Sequence, residues 1–253
     1  KDTENSIKAN LSKTFAEDPY LSEIKAGVKY RTRTKTVDSN IYIYDGDFDD
    51  MDPTQFAASD VDWGLGDFGP GLNRGEMRSY FNQNRGSLEL SELDSELESN
   101  GASYETNEDI FAAYFMGTFD INDVHIVAGV RYEKTDFDTA GMRVELIEDE
   151  QLDVEEVVNT PWQSARSYDH FLPSINVKYS ISEQLIVRGA YTQTISRPGF
   201  EESAAFQIIE SKTEEDDGEF VTEREAEVGN PQLLPYESDN FDLSVEYYPG
   251  QIG

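Results

Sequence analysis

Cysteine is absent from this chain of 253 residues, and histidine occurs only at His125 and His170. The first absence excludes disulfide frameworks, thiolate metal sites and cysteine nucleophiles. The second leaves too few imidazoles for a multi-histidine metal centre. No apolar run approaches the roughly 18 residues that a membrane-spanning helix needs. A signal peptide is missing too, since no basic start leads into an apolar stretch, so either a leader is removed or the chain begins inside a longer protein. Basic residues are scarce: Lys and Arg number 20 against 52 Asp and Glu, a formal charge of −32. Such a surface repels phosphate backbones, which argues against nucleic acid as a partner. Apolar residues make up only 37%, yet an aromatic content of 12% separates the chain from the disordered class.

The negative charge is concentrated. Residues 45–105 carry a net −12, residues 138–170 a net −7 and residues 197–237 a net −9, which is −28 of the whole. The remaining segments are close to neutral and alternate apolar with polar residues, the signature of strands. Ile24, Ala26, Val28 and Tyr30 alternate with Lys25, Gly27, Lys29 and Arg31. The same pattern runs from Val124 to Glu133, from Phe171 to Ile181, from Leu185 to Thr192 and from Phe241 to Tyr247. Ile110–Phe119 is apolar on both faces, which leaves its register open, and Glu4–Phe15 is a weaker strand. Seven strands are expected.

Their connections fall into two sets. Ala16–Ser22, Asp120–Asp123, Ser182–Gln184 and Pro249–Gly250 are short, and the three acidic stretches between them are long. Following the chain, short turns gather at one end of the sheet and long loops at the other. Loops beyond about 12–15 residues are uncommon in compact domains. Transmembrane β-barrels have this asymmetry, with an apolar outward face and a polar inward one. The expected fold class is therefore all-β, an antiparallel up-and-down transmembrane β-barrel segment. A soluble β-sandwich of the carbohydrate-binding kind also alternates and is the rival. Inside the first long loop, Leu90, Leu93 and Leu97 predict a surface helix over 88–98, capped by Ser87 and stopped by Asn100-Gly101.

Particular words narrow this further. Phe171-Leu172-Pro173-Ser174-Ile175-Asn176-Val177 leads through a turn to Leu185–Thr194 and Ile195-Ser196-Arg197-Pro198. Gly229-Asn230-Pro231 and Pro235-Tyr236-Glu237-Ser238-Asp239-Asn240-Phe241-Asp242 follow. Together with Ala112-Ala113-Tyr114 and Val127–Glu133, these resemble the barrel of TonB-dependent outer-membrane receptors, in particular the branch linked to oligosaccharide uptake. The resemblance implies an outer-membrane transporter and no enzyme, with lipid around the barrel and no cofactor. It also implies contact with TonB through a plug domain that this chain lacks, so residues 1–253 are expected to be part of a larger barrel.

Candidate ligand contacts follow from chemistry. Trp63, Trp162 and Tyr80 lie in the presumed outer loops, where aromatic faces stack on sugar rings or on aromatic chelators, or simply pack the loops. Arg31, Arg33, Arg131, Lys178 and Arg188 fall on the inward rows, where they meet a polar ligand or the plug, or pair with Glu133, Asp242 and Glu246. Asp45, Asp47 and Asp49 are weak metal candidates, because an EF-hand beginning at Asp45 lacks its glycine and its final glutamate. The ligand expected is an oligosaccharide, with a ferric siderophore or other metal chelate as the alternative. Catalytic residues are not expected: acidic pairs are too common here to single one out, and Ser167, Asp169 and His170 are mere sequence neighbours.

Overall fold

The alternating segments pair in the order in which they occur along the chain. The computed structural model describes residues 1–48, 51–63 and 66–249. Its strands are β1 (Asp2–Thr14), β2 (Leu21–Val37), β3 (Ile43–Asp45), β4 (Ala57–Trp63) and β5 (Gly66–Leu72), followed by helix α1 (Arg74–Asn84). Then come β6 (Glu89–Ser91), helix α2 (Glu92–Gly101), β7 (Tyr104–Ile121), β8 (Val124–Asp149), β9 (Val154–Ser180) and β10 (Leu185–Ser196). A hairpin of β11 (Gln207–Asp216) and β12 (Glu219–Val228) precedes the last strand, β13 (Tyr236–Tyr247).

The main sheet runs β1-β2-β7-β8-β9-β10-β13, every neighbour antiparallel. These are the seven expected strands. The sandwich is excluded, because among the described residues no second sheet covers this one: Phe241 and Leu243 stand 78% and 80% exposed. Short connections at one rim fix the register. Asn122-Asp123 joins β7 to β8 in two residues, with Asn122 at φ 53, a left-handed value that asparagine tolerates.

Side chains alternate cleanly across the wall. The doubtful strand β7 sends Phe111 and Phe115 outward and keeps Ile110 and Ala112 buried on the inward face. Outward aromatics form an upper girdle in which Tyr30 lies opposite Phe111, and Tyr132 lies 5.0 Å from Phe171 by ring centroid. Tyr179 and Tyr247 mark the lower edge, with Val130, Ile175 and Val245 between the two levels. Eight residues separate Phe171 from Tyr179; at roughly 3.3 Å each on tilted strands this gives about 20 Å of height, close to the apolar band of a bacterial barrel. Above the upper girdle the outward row turns polar at Lys134, Asp136 and Asp169.

The upper part departs from expectation. Residues 138–170 are not a loop. They are the continuous top of β8 and β9, paired as far as Asp149 opposite Val154, and only Glu150–Asp153 turns. Acidic residues occupy positions whose neighbours, Val144 and Leu146, are buried, so a charge count hides a strand pattern. The third acidic stretch also contains structure, since β11 runs parallel to β8 over Arg143–Asp149 and β12 flanks it. The helix expected at 88–98 is displaced: Leu90 lies in β6, and α2 starts after Ser91, whose hydroxyl accepts from the Asp94 amide. Leu97, 1% exposed, packs into a core with Tyr104, Val144, Leu146, Ala204, Phe206 and Ile208. Apart from Leu93 on the same helix, its partners therefore come from the wall and the third stretch. Helix α1 has no counterpart among the expected elements; Asn73 caps it by accepting from the Gly75 and Glu76 amides.

Candidate functional site

Alternation places Lys25, Lys29, Arg31 and Arg33 on the inward face of β2, with Glu108 opposite Arg33 on β7. Arg131, Glu133, Thr135 and Phe137 follow on β8, and Trp162, Ser164, Arg166, Tyr168 and His170 on β9. On β10 and β13 the same face carries Arg188, Asp242 and Ser244. Most of the cations meet carboxylates. Arg33 Nε donates to Asp2 at 3.1 Å, Arg31 to Glu108 at 3.1 Å and Arg188 Nε to Glu246 at 2.7 Å. Arg131 Nε donates to Glu133 at 2.5 Å. The pairing seen for Arg131 with Glu133 and Arg188 with Glu246 is the plainer of the two expected roles. Lys8, Lys29 and Lys178 have no ion pair among the described residues.

Two shallow recesses open on this face. One of about 370 Å³ is lined by His125, Asn176, Lys178, Arg188, Asp242 and Ser244. The other, about 230 Å³, has Tyr114, Met116, Arg131, Leu172 and Ser174 on its walls. The expected contacts Lys178, Arg188 and Arg131 thus border hollows, while Arg31 and Arg33 sit higher among carboxylates.

Sequence reasoning passed over the densest cluster. Arg197, which the sequence singled out only within the Ser196-Arg197-Pro198 words, donates to Glu133 at 2.5 Å and to Thr135 Oγ1 at 3.2 Å, with Glu108 at 3.8 Å. Arg166 donates to the Pro231 carbonyl at 2.6 Å and to Ser203 Oγ at 3.2 Å, and lies 4.3 Å over the Phe137 ring. His170 Nε2 meets Glu237 at 3.2 Å. The visible signal was the pair of prolines: Arg197-Pro198 and Asn230-Pro231 both bend chain onto this wall.

The aromatic candidates separate. Trp162 is half-buried on the inward face opposite Gly141, one pair above Ser164, which accepts from Gln232 Nε2 at 2.9 Å. Tyr80 instead belongs to the inside of the first loop, edge-on to Phe48 at 5.4 Å and to Phe56 at 5.4 Å, so it packs that loop rather than facing the lumen. Trp63 ends β4, and its side chain lies outside the described ones. Asp49 lies outside the described residues, and no group of three or more potential metal ligands gathers around Asp45 and Asp47 or elsewhere among the described ones.

An open, one-layer wall with a charged concave face and an apolar convex one fits a lipid-embedded barrel, and comparison agrees. The family model described as "TonB dependent receptor-like, beta-barrel" matches residues 1–253. The chain belongs to the TonB-dependent receptor β-barrel family. That family consists of outer-membrane transporters rather than enzymes, and the strands of this chain are outer-membrane strands. Among solved structures it is similar in fold to the ferric-catecholate import receptor Fiu of E. coli K12 in its closed form. The TM-score is 0.54 at 14% identity, covering 97% of this chain and 29% of that one. The chain thus spans under a third of the length of that receptor. No curated protein matches it.

Proposed function

We propose that this chain is wall and outer loops of an active-transport receptor that captures a scarce or bulky nutrient and imports it. The energy arrives through TonB acting on a plug domain, in keeping with the family. We infer an oligosaccharide as the nutrient. The observation that carries this reading is Trp162, set inward on the part of β9 that stands well above the apolar band, next to the Ser164–Gln232 hydroxyl–amide pair. An indole face with neutral hydrogen-bonding groups suits a sugar ring. The surrounding acidic stretches, a net −28 together, repel anionic ferric siderophores, although salt screens that repulsion beyond about 8 Å at physiological strength.

The test is titration calorimetry on the full-length receptor with a panel of neutral oligosaccharides and of ferric catecholates. Binding of one sugar class, weakened at least about tenfold by Trp162→Ala, is the expected outcome; tenfold corresponds to about 1.4 kcal/mol. Tight binding of a ferric chelate with no sugar binding, together with induction by iron starvation, would overturn it. A chelate remains the second reading because Lys8, Lys29 and Lys178, on the inward face, have no ion pair among the described residues and suit an anionic group deeper in the lumen.

A further inference from the structure

Between β10 and β11 the chain leaves the rim and crosses the inward face instead of looping outward. Arg197 reaches Glu133 and Glu108 on two neighbouring strands. Phe200 stacks on Phe137 at 6.2 Å and lies under the Arg33 guanidinium at 4.6 Å. Ser203, Ala204 and Ala205 are fully buried, and Ala205 N donates to Thr139 Oγ1 at 2.9 Å. Residues 197–206 therefore span the concave side from β10 across β8 and β7 to β2.

The manner of attachment is unlike that of the wall. Every wall strand is held by a backbone ladder, whereas this segment carries no strand pairing. Its backbone bonds are internal, as in Ser203 N to Gly199 O, or run to the Gly229-Asn230 bend, as in Asn230 N to Glu202 O at 2.7 Å. To the wall strands it is fastened by side-chain contacts, among them Ala204 and Phe206 in the core around Leu97, and by the Ala205 N bond to Thr139 Oγ1, with no backbone ladder. The fit is tight but shallow: a Cβ at Gly141 would lie 2.4 Å from the Ala205 carbonyl, and one at Gly229 would lie 2.2 Å from the Ala204 carbonyl. Pro198 stiffens the entry to the segment and Pro231 the neighbouring bend.

We propose that Arg197–Phe206 is a releasable strap across the lumen. Docked, it roofs the inward face; released, it uncovers Thr106, Glu108, Phe137 and Thr139 without breaking any sheet hydrogen bond. Side-chain attachments open locally at far lower cost than a ladder does. Release rests on geometry alone, while its use, to let a polar ligand pass, rests on the transport reading above.

The experiment uses the full-length receptor in intact cells, with any cysteines outside this segment replaced; the segment itself has none. Ala204→Cys reports on the strap and Thr106→Cys on the wall beneath it, where the buried threonine hydroxyl has no hydrogen-bond partner among the described residues. Reaction with a membrane-impermeant maleimide should be slow at both positions. It should accelerate at least about tenfold at both when Arg197→Ala removes the ionic attachment or Gly141→Val occupies the close approach. Resistance to unfolding in detergent at room temperature checks that the barrel has assembled, and Arg197→Ala decides the matter if Gly141→Val does not assemble. Unchanged rates in assembled variants would make the segment fixed wall. Fast labelling of Ala204→Cys in the parent would mean it is never docked. Acceleration at Ala204→Cys alone would refute uncovering of the wall. If both reporters respond and no nutrient is transported, the strap stands and the transport reading fails.

Discussion

The lower and upper halves of the same strands obey opposite rules. Below the Tyr132–Phe171 level, β7, β8 and β9 turn their large apolar residues outward, and the inward face is charged. Above it the outward row becomes Lys134, Asp136 and Asp169, and Leu97, Val144, Leu146 and Ile208 collect into a buried core under α2. One half is folded for lipid and the other for water. The backbone ladder is continuous through both, so what changes is the solvent against which side chains are sorted.

The largest test of this contrast is Leu97→Ala. Removing a side chain that is 1% exposed should cost about 3–5 kcal/mol in the upper layer, by lost transfer energy and a cavity. Limited proteolysis of the full-length receptor should then cut residues 88–103 readily, while the barrel keeps its resistance to detergent at room temperature. If the barrel is lost as well, the two halves form one cooperative unit and the contrast fails.

The lower half is tested at Phe115, which is 54% exposed on the outward face. Phe115→Arg should destabilise by about 2–4 kcal/mol, the cost of an arginine near the bilayer midplane, as read from folding titrations into lipid vesicles. Ala165→Arg, on the outward row of β9 above the apolar band, should cost under about 1 kcal/mol. Equal costs at the two positions would remove the boundary drawn here at Lys134, Asp136 and Asp169.

That boundary also explains which parts of the fold were legible in the sequence. A lipid-facing strand needs strict alternation, so β2, β9, β10, β13 and the lower part of β8 stand out by period alone. Above the band, Glu145 beside Leu146 and Asp149 beside Val154 belong to strands that are dense in charge. A stretch at a net −7 reads as a loop when the buried partners, α2 and β11, are not known. The β11–β12 hairpin did carry a local sign in Asp217-Gly218, both at positive φ, a two-residue turn whose flanks were too acidic to suggest strands. The inward cations Arg31, Arg131 and Arg188 were placed on the right face, since facing follows from parity. Their partners were only partly foreseen, and Arg197 and Arg166 were missed, because a segment that crosses the lumen follows no period.

The smallest effect is expected where the upper layer carries its own charge to excess. On α2, Glu98 is pushed above the usual carboxylate range, chiefly by burial and then by Glu227, Glu210 and Asp94. Glu227 and Glu210 belong to the β11–β12 hairpin, so α2 and the hairpin meet with like charges. A carboxyl whose value is raised on folding favours the folded form when protonated. Its stabilising contribution is fully present below the ordinary carboxylate value and is lost as pH rises through the raised one. Packing of α2 on β11 should therefore tighten as the medium is acidified from neutrality into the carboxylate range, visible as higher amide protection factors in β11 once the general slowing of exchange by acid is divided out. Glu98→Gln should raise that protection at neutral pH and flatten its pH dependence. The Phe115 region, set by lipid and ladder, should show neither change. A pH response of the same size in β7 near Phe115 would mean that acid acts on the whole sheet rather than on the water-facing layer.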